Sequence, residues 1–238
     1  MSKPVSNKSG GEALRGAEVH TFHLIFEALT SEQWAELLRT PLEVAAAKGN
    51  RDLAQRLVRA GAEIGDALHE ATEGGHGEIM GDLVESGASP AAKNAGGYTL
   101  HVAAERRKTE MVQLLLLKGA DKDVFDNGEW TPLFTAAFLG HSGAALALLA
   151  ADADVSLPCG QFKIPAMYAA AQEGHIEILR AVIEHGADVD DAVDDKQSTA
   201  LHAAAGSNKV EAIDVLVQAG ADIEARDDVA IHLFILLP

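Results

Sequence analysis

With 238 residues, 47% of them apolar, the chain is long enough to bury a substantial core, as one or two ordinary domains or as one elongated array. Its 19 lysines and arginines stand against 36 aspartates and glutamates, a net charge of −17 that repels phosphate backbones and anionic membrane surfaces and sets nucleic acid aside as a partner. The single cysteine, Cys159, excludes an intrachain disulfide, and neither a signal-peptide-like apolar block nor a run near the roughly 20 apolar residues of a membrane helix is present, so a cytoplasmic protein is expected, with the nucleus as the alternative.

Residues 1–12 are polar, with Lys3, Pro4, Lys8 and paired glycines, and read as a flexible tail. Residues 13–39 read as two helices. Val19, Phe22, Ile25, Phe26 and Leu29 mark the first, and Thr30-Ser31-Glu32-Gln33 is a capping-box start for the second, which carries Trp34, Leu37 and Leu38. Their expected task is to cover the apolar end of whatever follows. His20 and His23 share a face of the first helix, but no cysteine or spaced histidine completes a metal set.

From residue 40 to 225 the chain repeats itself. The anchors are Gly61-Ala62, Gly87-Ala88, Gly119-Ala120, Asp152-Ala153, Gly186-Ala187 and Gly220-Ala221. Before each anchor runs an apolar pattern spaced i, i+1, i+4, i+5, such as Leu53, Ala54, Leu57, Val58 or Ile178, Leu179, Val182, Ile183; this is one stripe of an α-helix. The anchor glycine sits where a left-handed helix cap is wanted. A second, earlier helix begins at Leu42, Leu68, Leu100, Leu133, Met167 and Leu201, each followed three residues later by a small pair such as Ala103-Ala104 or Ala136-Ala137. Small pairs permit close approach of a neighbouring helix. Between the two helices stand Gly49, Gly75, Gly140 and Gly174, with Arg107 and Asn208 as substitutes, so a tight turn at positive φ is predicted and Arg107 is its strained member.

All variation in anchor spacing falls in the connectors. Asn94-Ala95-Gly96-Gly97, Asp126-Asn127-Gly128 and Asp194-Asp195-Lys196 are turn formers suited to protruding hairpins. The second repeat is the short one: only Glu63 to Ala67 separate its connector's start from Leu68, which leaves no room for a finger.

Thr40-Pro41-Leu42, Thr131-Pro132-Leu133, Leu100-His101 and Leu201-His202 with their small pairs, and Gly75-His76, Gly140-His141 and Gly174-His175, resemble the ankyrin repeat. The second copy lacks Thr-Pro, the third lacks Pro, and the fifth reads Ile164-Pro165-Ala166-Met167. The resemblance implies an all-α solenoid of stacked helix-turn-helix pairs with short hairpin fingers. It also implies a binding surface on the concave side, built from finger tips and the exposed end of each first helix. For His69, His101, His202, His76, His141 and His175 a packing role is expected, each bonding a neighbouring loop.

Residues 226–238 close the sequence with an apolar run from Val229 to Leu237, expected either to fold back over the sixth repeat or to begin a truncated seventh. Cys159, beside Gly160, has no adjacent base and reads as a free surface thiol rather than a nucleophile. Asp188, Asp190, Asp191, Asp194 and Asp195 lack the spacing of a calcium loop and read as a solvated acidic finger. No catalytic set, cofactor motif or phosphate-binding loop is present in the sequence, so a non-enzymatic role without cofactor is expected.

The exposed pairs at the ends of the first helices include Glu105-Arg106, Phe138-Leu139 and Gln172-Glu173. Phe138 and Leu139, with Trp130, Tyr98 and Phe162 on nearby fingers, would form an apolar patch ringed by charge, the composition of an interaction hot spot. The competing placement packs Trp130 and Phe162 under their own fingers and lets Phe138 fill space left by Ala144 and Ala145. The function expected is a monomeric scaffold that holds another protein with a basic or mixed-charge epitope. The alternative is a targeting arm of a larger enzyme or channel.

Overall fold

The computed structural model describes residues 40–94, 97–193 and 197–227. The chain divides into two units, Met1–Thr40 and Pro41–Pro238. The helices expected over 13–39 and the apolar run after Asp227 lie outside the described residues, as do His20, His23, Asp194 and Asp195.

Twelve helices form six hairpins in the described part of the second unit. They are α1 Pro41–Ala47, α2 Arg51–Arg59, α3 Ala67–Gly74, α4 Gly77–Glu85, α5 Thr99–Glu105, α6 Thr109–Leu117, α7 Pro132–Leu139, α8 Ser142–Ala150, α9 Ala166–Glu173, α10 Ile176–Glu184, α11 Ala200–Gly206 and α12 Val210–Gln218. Helices of seven to nine residues are too short to persist alone, so the stack must hold them. Each first helix packs on the first helices of adjoining hairpins and each second helix on the second, giving two rows with one continuous core between them.

The recurring sequence anchors are helix stops. Gly61 N–H donates to Val58 O and Ala62 N–H to Leu57 O, the paired bonds of a Schellman cap, with Gly61 at φ 87°. The same pair of donors recurs at Gly87-Ala88, Gly119-Ala120, Asp152-Ala153, Gly186-Ala187 and Gly220-Ala221. The interhelix turn repeats the device: at the end of α3, Gly75 N–H donates to Thr72 O and His76 N–H to Ala71 O. Arg107 and Asn208 adopt this left-handed turn at φ 57° and 54°, as the sequence required.

The small pairs sit at the centre of the core: Ala45, Ala46, Ala103, Ala104, Ala136, Ala137, Ala170, Ala171 and Ala204 are all essentially inaccessible. Substituting a larger side chain there would displace an adjoining helix.

The connectors form short fingers. Strands β1 Lys93–Asn94 and β2 Gly97–Tyr98 pair antiparallel, and single antiparallel bridges join Cys159 to Ile164 and Val193 to Ser198. The second hairpin begins after a bare turn over residues 62–66, as its length demanded. Here Glu43 accepts a hydrogen bond from Asp66 N–H at 3.3 Å, a contact possible because no finger intervenes.

Histidines stitch successive hairpins. His101 Nε2 lies 2.8 Å from Trp130 O, His69 Nδ1 2.9 Å from Thr99 Oγ1, His76 Nε2 3.1 Å from Ala47 O and His141 Nδ1 2.8 Å from Ala104 O. Burial depresses the basicity of His69 and His101, so the neutral ring is the form that folding favours. Across the row of second helices Arg51 binds Asp82 at 2.7 Å and Glu78 at 2.7 Å; the guanidinium holds the Asp82 carboxyl below the usual carboxylate range.

Candidate functional site

The fourth hairpin departs from its neighbours. Thr131, extended at the helix N-cap, accepts a hydrogen bond from Phe134 N–H at 3.1 Å, and Pro132 opens α7. This cap directs Phe134 into the place held by histidine in the second, third and sixth hairpins. Phe134 is buried, and its ring lies parallel to Phe138 with centroids 6.2 Å apart. Trp130, half-buried at the base of the preceding finger, completes the cluster at 5.2 Å from Phe134 and 5.7 Å from Phe138. The three rings are tilted or offset, arrangements that aromatic quadrupoles favour.

Trp130 is fixed by its own turn. Asp126 Oδ1 accepts hydrogen bonds from Gly128 N–H and Trp130 N–H, both at 2.8 Å, an Asx-type fold of the loop. The following finger closes over the indole: Gly160 N–H donates to Glu129 O, and a Cβ at Gly160 would stand 3.1 Å from Trp130 Nε1. Glu129 and Lys163 occupy left-handed positions at φ 60° and 54° and pair at 3.1 Å across the two fingers.

Outside this cluster Phe138 remains 37% exposed and Leu139 40% exposed. The equivalent exposed or half-exposed pairs elsewhere are Ala47-Lys48, Glu73-Gly74, Glu105-Arg106, Gln172-Glu173 and Gly206-Ser207. Only the fourth hairpin presents two large apolar side chains there. Glu105 and Arg106 are exposed, and Arg106 pairs with Glu73 at 2.7 Å. Gln172 and Glu173 are half-buried rather than fully presented, joined by a 3.2 Å hydrogen bond from Gln172 Nε2 to Glu173 Oε1.

Two of the aromatic residues expected in the patch stand apart. Tyr98 is half-buried, with Lys93 Nζ 4.8 Å above its ring and His101 beside it, so its face is already occupied. Phe162, 59% exposed at its finger tip, packs under nothing. Ala144 and Ala145 are sealed in the core, and Phe138 stacks on Phe134 with 37% of its surface exposed. Phe134 was missed by sequence reasoning. Its signal was the replacement of Leu-His by Leu133-Phe134.

Cys159 corrects the expectation of a surface thiol. It is 2% exposed and packs with Phe134, Ala169, Trp130 and Ile164. The antiparallel bridge to Ile164 turns its side chain toward the hairpin base, where Sγ donates to Leu157 O at 3.5 Å and lies 3.6 Å from Thr131 Oγ1. Burial pushes the thiol pKa up, the opposite of what a nucleophile requires.

The described hairpins fit one known architecture in sequence as well as in shape. Residues 68–159 and 153–227 match the family described as ankyrin repeats (3 copies). The chain belongs to the ankyrin-repeat family. An ankyrin relative, the ankyrin repeat and KH domain-containing protein mask-1 of Caenorhabditis elegans, is 33% identical over 112 residues, 43% of this chain. Protein phosphatase 1 regulatory subunit 12A of Mus musculus is 42% identical over 55 residues, 23% of this chain. The chain spans only 4% and 5% of those relatives' own lengths. The crystal structure of the ankyrin repeat domain of Bcl-3 superposes with a TM-score of 0.74 at 25% identity, over 82% of this chain and 92% of that one. Ankyrin repeats are protein-interaction units, and among the described residues no helix is long and apolar enough to cross a membrane.

Proposed function

We propose that this ankyrin array is a non-catalytic scaffold, monomeric and cytoplasmic, that holds a partner protein over Phe138 and Leu139. The observation that carries this reading is the aromatic cluster of Trp130, Phe134 and Phe138. It spends two rings on support and leaves the third, with Leu139, open to solvent at a position the other hairpins fill with small or polar residues. A rigid, preformed apolar anchor of this kind is what hot spots use. Glu105, Glu129 and Glu173 around it favour a partner whose apolar side chain is bordered by cations, and Arg106 and Lys163 admit mixed charge.

The test is affinity capture from a native lysate by the wild-type chain and by Phe138→Ser with Leu139→Ser. Both side chains are exposed, so helical circular dichroism should be unchanged, and the captured partner should be lost. Capture of the same proteins by both would overturn the reading. Trp130→Ala, combined with Phe138→Ser, should act in the same direction with some loss of stability, because the indole also supports the cluster. A second reading, a targeting arm of a larger assembly, rests on the likeness to a phosphatase regulatory subunit.

A further inference from the structure

The second helices present three outward positions to solvent, and these differ along the stack. In α10 they are Glu177, Arg180 and Glu184, and in α12 Glu211, Asp214 and Gln218, as expected of an exposed helix face. In α8 they are Gly143, Leu146 and Ala150, and the whole helix, Ser142–Ala150, carries no charge. Adjoining it, α6 ends in Leu117, which is 81% exposed, the most exposed large apolar side chain among the described residues. Leu146 is 39% exposed. Gly143 brings the two helices together: a Cβ there would collide with Thr109 of α6. The result is an apolar strip of Leu117, Leu146, Ala150 and Gly143 across α6 and α8 on the second-helix face, with Gln113 the polar outward residue of α6 between Glu110 and Leu117.

Acid predominates around the strip: Glu110 stands on α6 itself, Glu85 lies toward the second hairpin, and Glu177 and Glu184, with Arg180 between them, lie toward the fifth, all exposed. The cation Lys118 is already held by Glu85 at 3.5 Å. A second copy of this chain would bring the same acidic borders against each other on a molecule of net charge −17. A lipid or nucleic-acid surface would be repelled likewise.

We propose that the α6–α8 strip is a second docking surface, and that its occupant is an amphipathic helix of another protein, with an apolar stripe flanked by lysines or arginines. The stripe covers Leu117 and Leu146, and the cations meet Glu110 at the start of α6 and Glu177 and Glu184 on the α10 border. The chain then engages two proteins on opposite faces of the same hairpins, which is independent of whether the Phe138 surface is occupied.

The experiment titrates the full chain into a fluorescein-labelled synthetic helix of leucines along one face and lysines on both flanks, read by anisotropy. Saturable binding is expected, weakened about tenfold in Leu117→Gln with Leu146→Gln and unchanged in Phe138→Ser with Leu139→Ser. Reversing the borders in Glu110→Lys with Glu177→Lys should weaken that peptide again and transfer binding to a leucine–glutamate helix of the same pattern. Equal affinity of wild type and the leucine variant overturns the proposal. So does equal affinity for a scrambled leucine–lysine peptide, which would reveal charge attraction alone. Sedimentation velocity showing a wild-type dimer that the leucine variant abolishes would assign the strip to a second copy and overturn it as well.

Discussion

His175 lies across Gly140 of the preceding hairpin, its Nε2 3.3 Å from the Phe138 carbonyl oxygen and its ring filling the space where a Cβ at Gly140 would stand. His76 covers Gly49 in the same way and reaches Ala47 O. The interhelix glycine thus serves two needs at once, a left-handed backbone and a seat for the next hairpin's side chain. Where the turn residue is Arg107, His141 turns its other nitrogen, Nδ1, to Ala104 O, one residue further back on the preceding helix.

Gly140→Ala is therefore expected to destabilise the array by about 1–2 kcal/mol from the left-handed backbone alone, with a further loss from displacing His175. Urea titration followed by circular dichroism measures it. The same substitution at Gly61, whose Cβ would meet nothing within 4 Å, should cost only the backbone part. Equal losses at the two sites would remove the seat from the account.

Arg107→Gly should raise stability, by up to about 1 kcal/mol, because glycine relieves the positive φ at a small entropic cost. Asn208→Gly should gain less, since asparagine tolerates this conformation better. A lower denaturation midpoint for Arg107→Gly would mean that the arginine side chain stabilises the turn by more than its backbone strains it.

Cys159 should resist thiol reagents. Under native conditions at pH 8 its labelling is expected to be slower than in urea by about 100-fold or more, since reaction requires an opening that exposes the base of the finger. Labelling at equal rates would place the thiol at the surface.

Stability should decline on acidification in two separate windows. His69 and His101 have folded pKa values lowered by burial, so the unfolded chain binds more protons at these rings than the folded one. Their contribution is fully present above the ordinary histidine pKa of 6.5 and is lost as pH falls from there through the folded values. Asp82, held down by its bond from Arg51, and Asp154, held down by Ser156, add a second loss as pH falls below about 4 through their folded values. Urea midpoints across pH 3 to 8 measure both. A His101→Gln variant should show a shallower first decline, and an unchanged slope would assign that window to other groups.

The hairpin architecture was legible because its causes are local. Schellman caps need glycine or a tolerant residue at one place, small pairs mark a close helix contact, and apolar stripes repeat at helical spacing; each signal lies within a few residues of the others. The loss of the second finger followed from chain length, and the outward direction of Phe138 and Leu139 from their place in the repeat. Three features depended on contacts that helical periodicity does not encode. Whether Cys159 faced water was decided by its bridge to Ile164 and by Phe134 beneath it. Whether Tyr98 joined Trp130 was decided by Lys93 stacking on its ring first. The strip across Leu117 and Leu146 arose because Gly143 admits Thr109 of the adjoining helix. Sequence periodicity specifies which side of its own helix a residue occupies; what stands opposite that side is set only when hairpins stack, because burial is a property of pairs of surfaces.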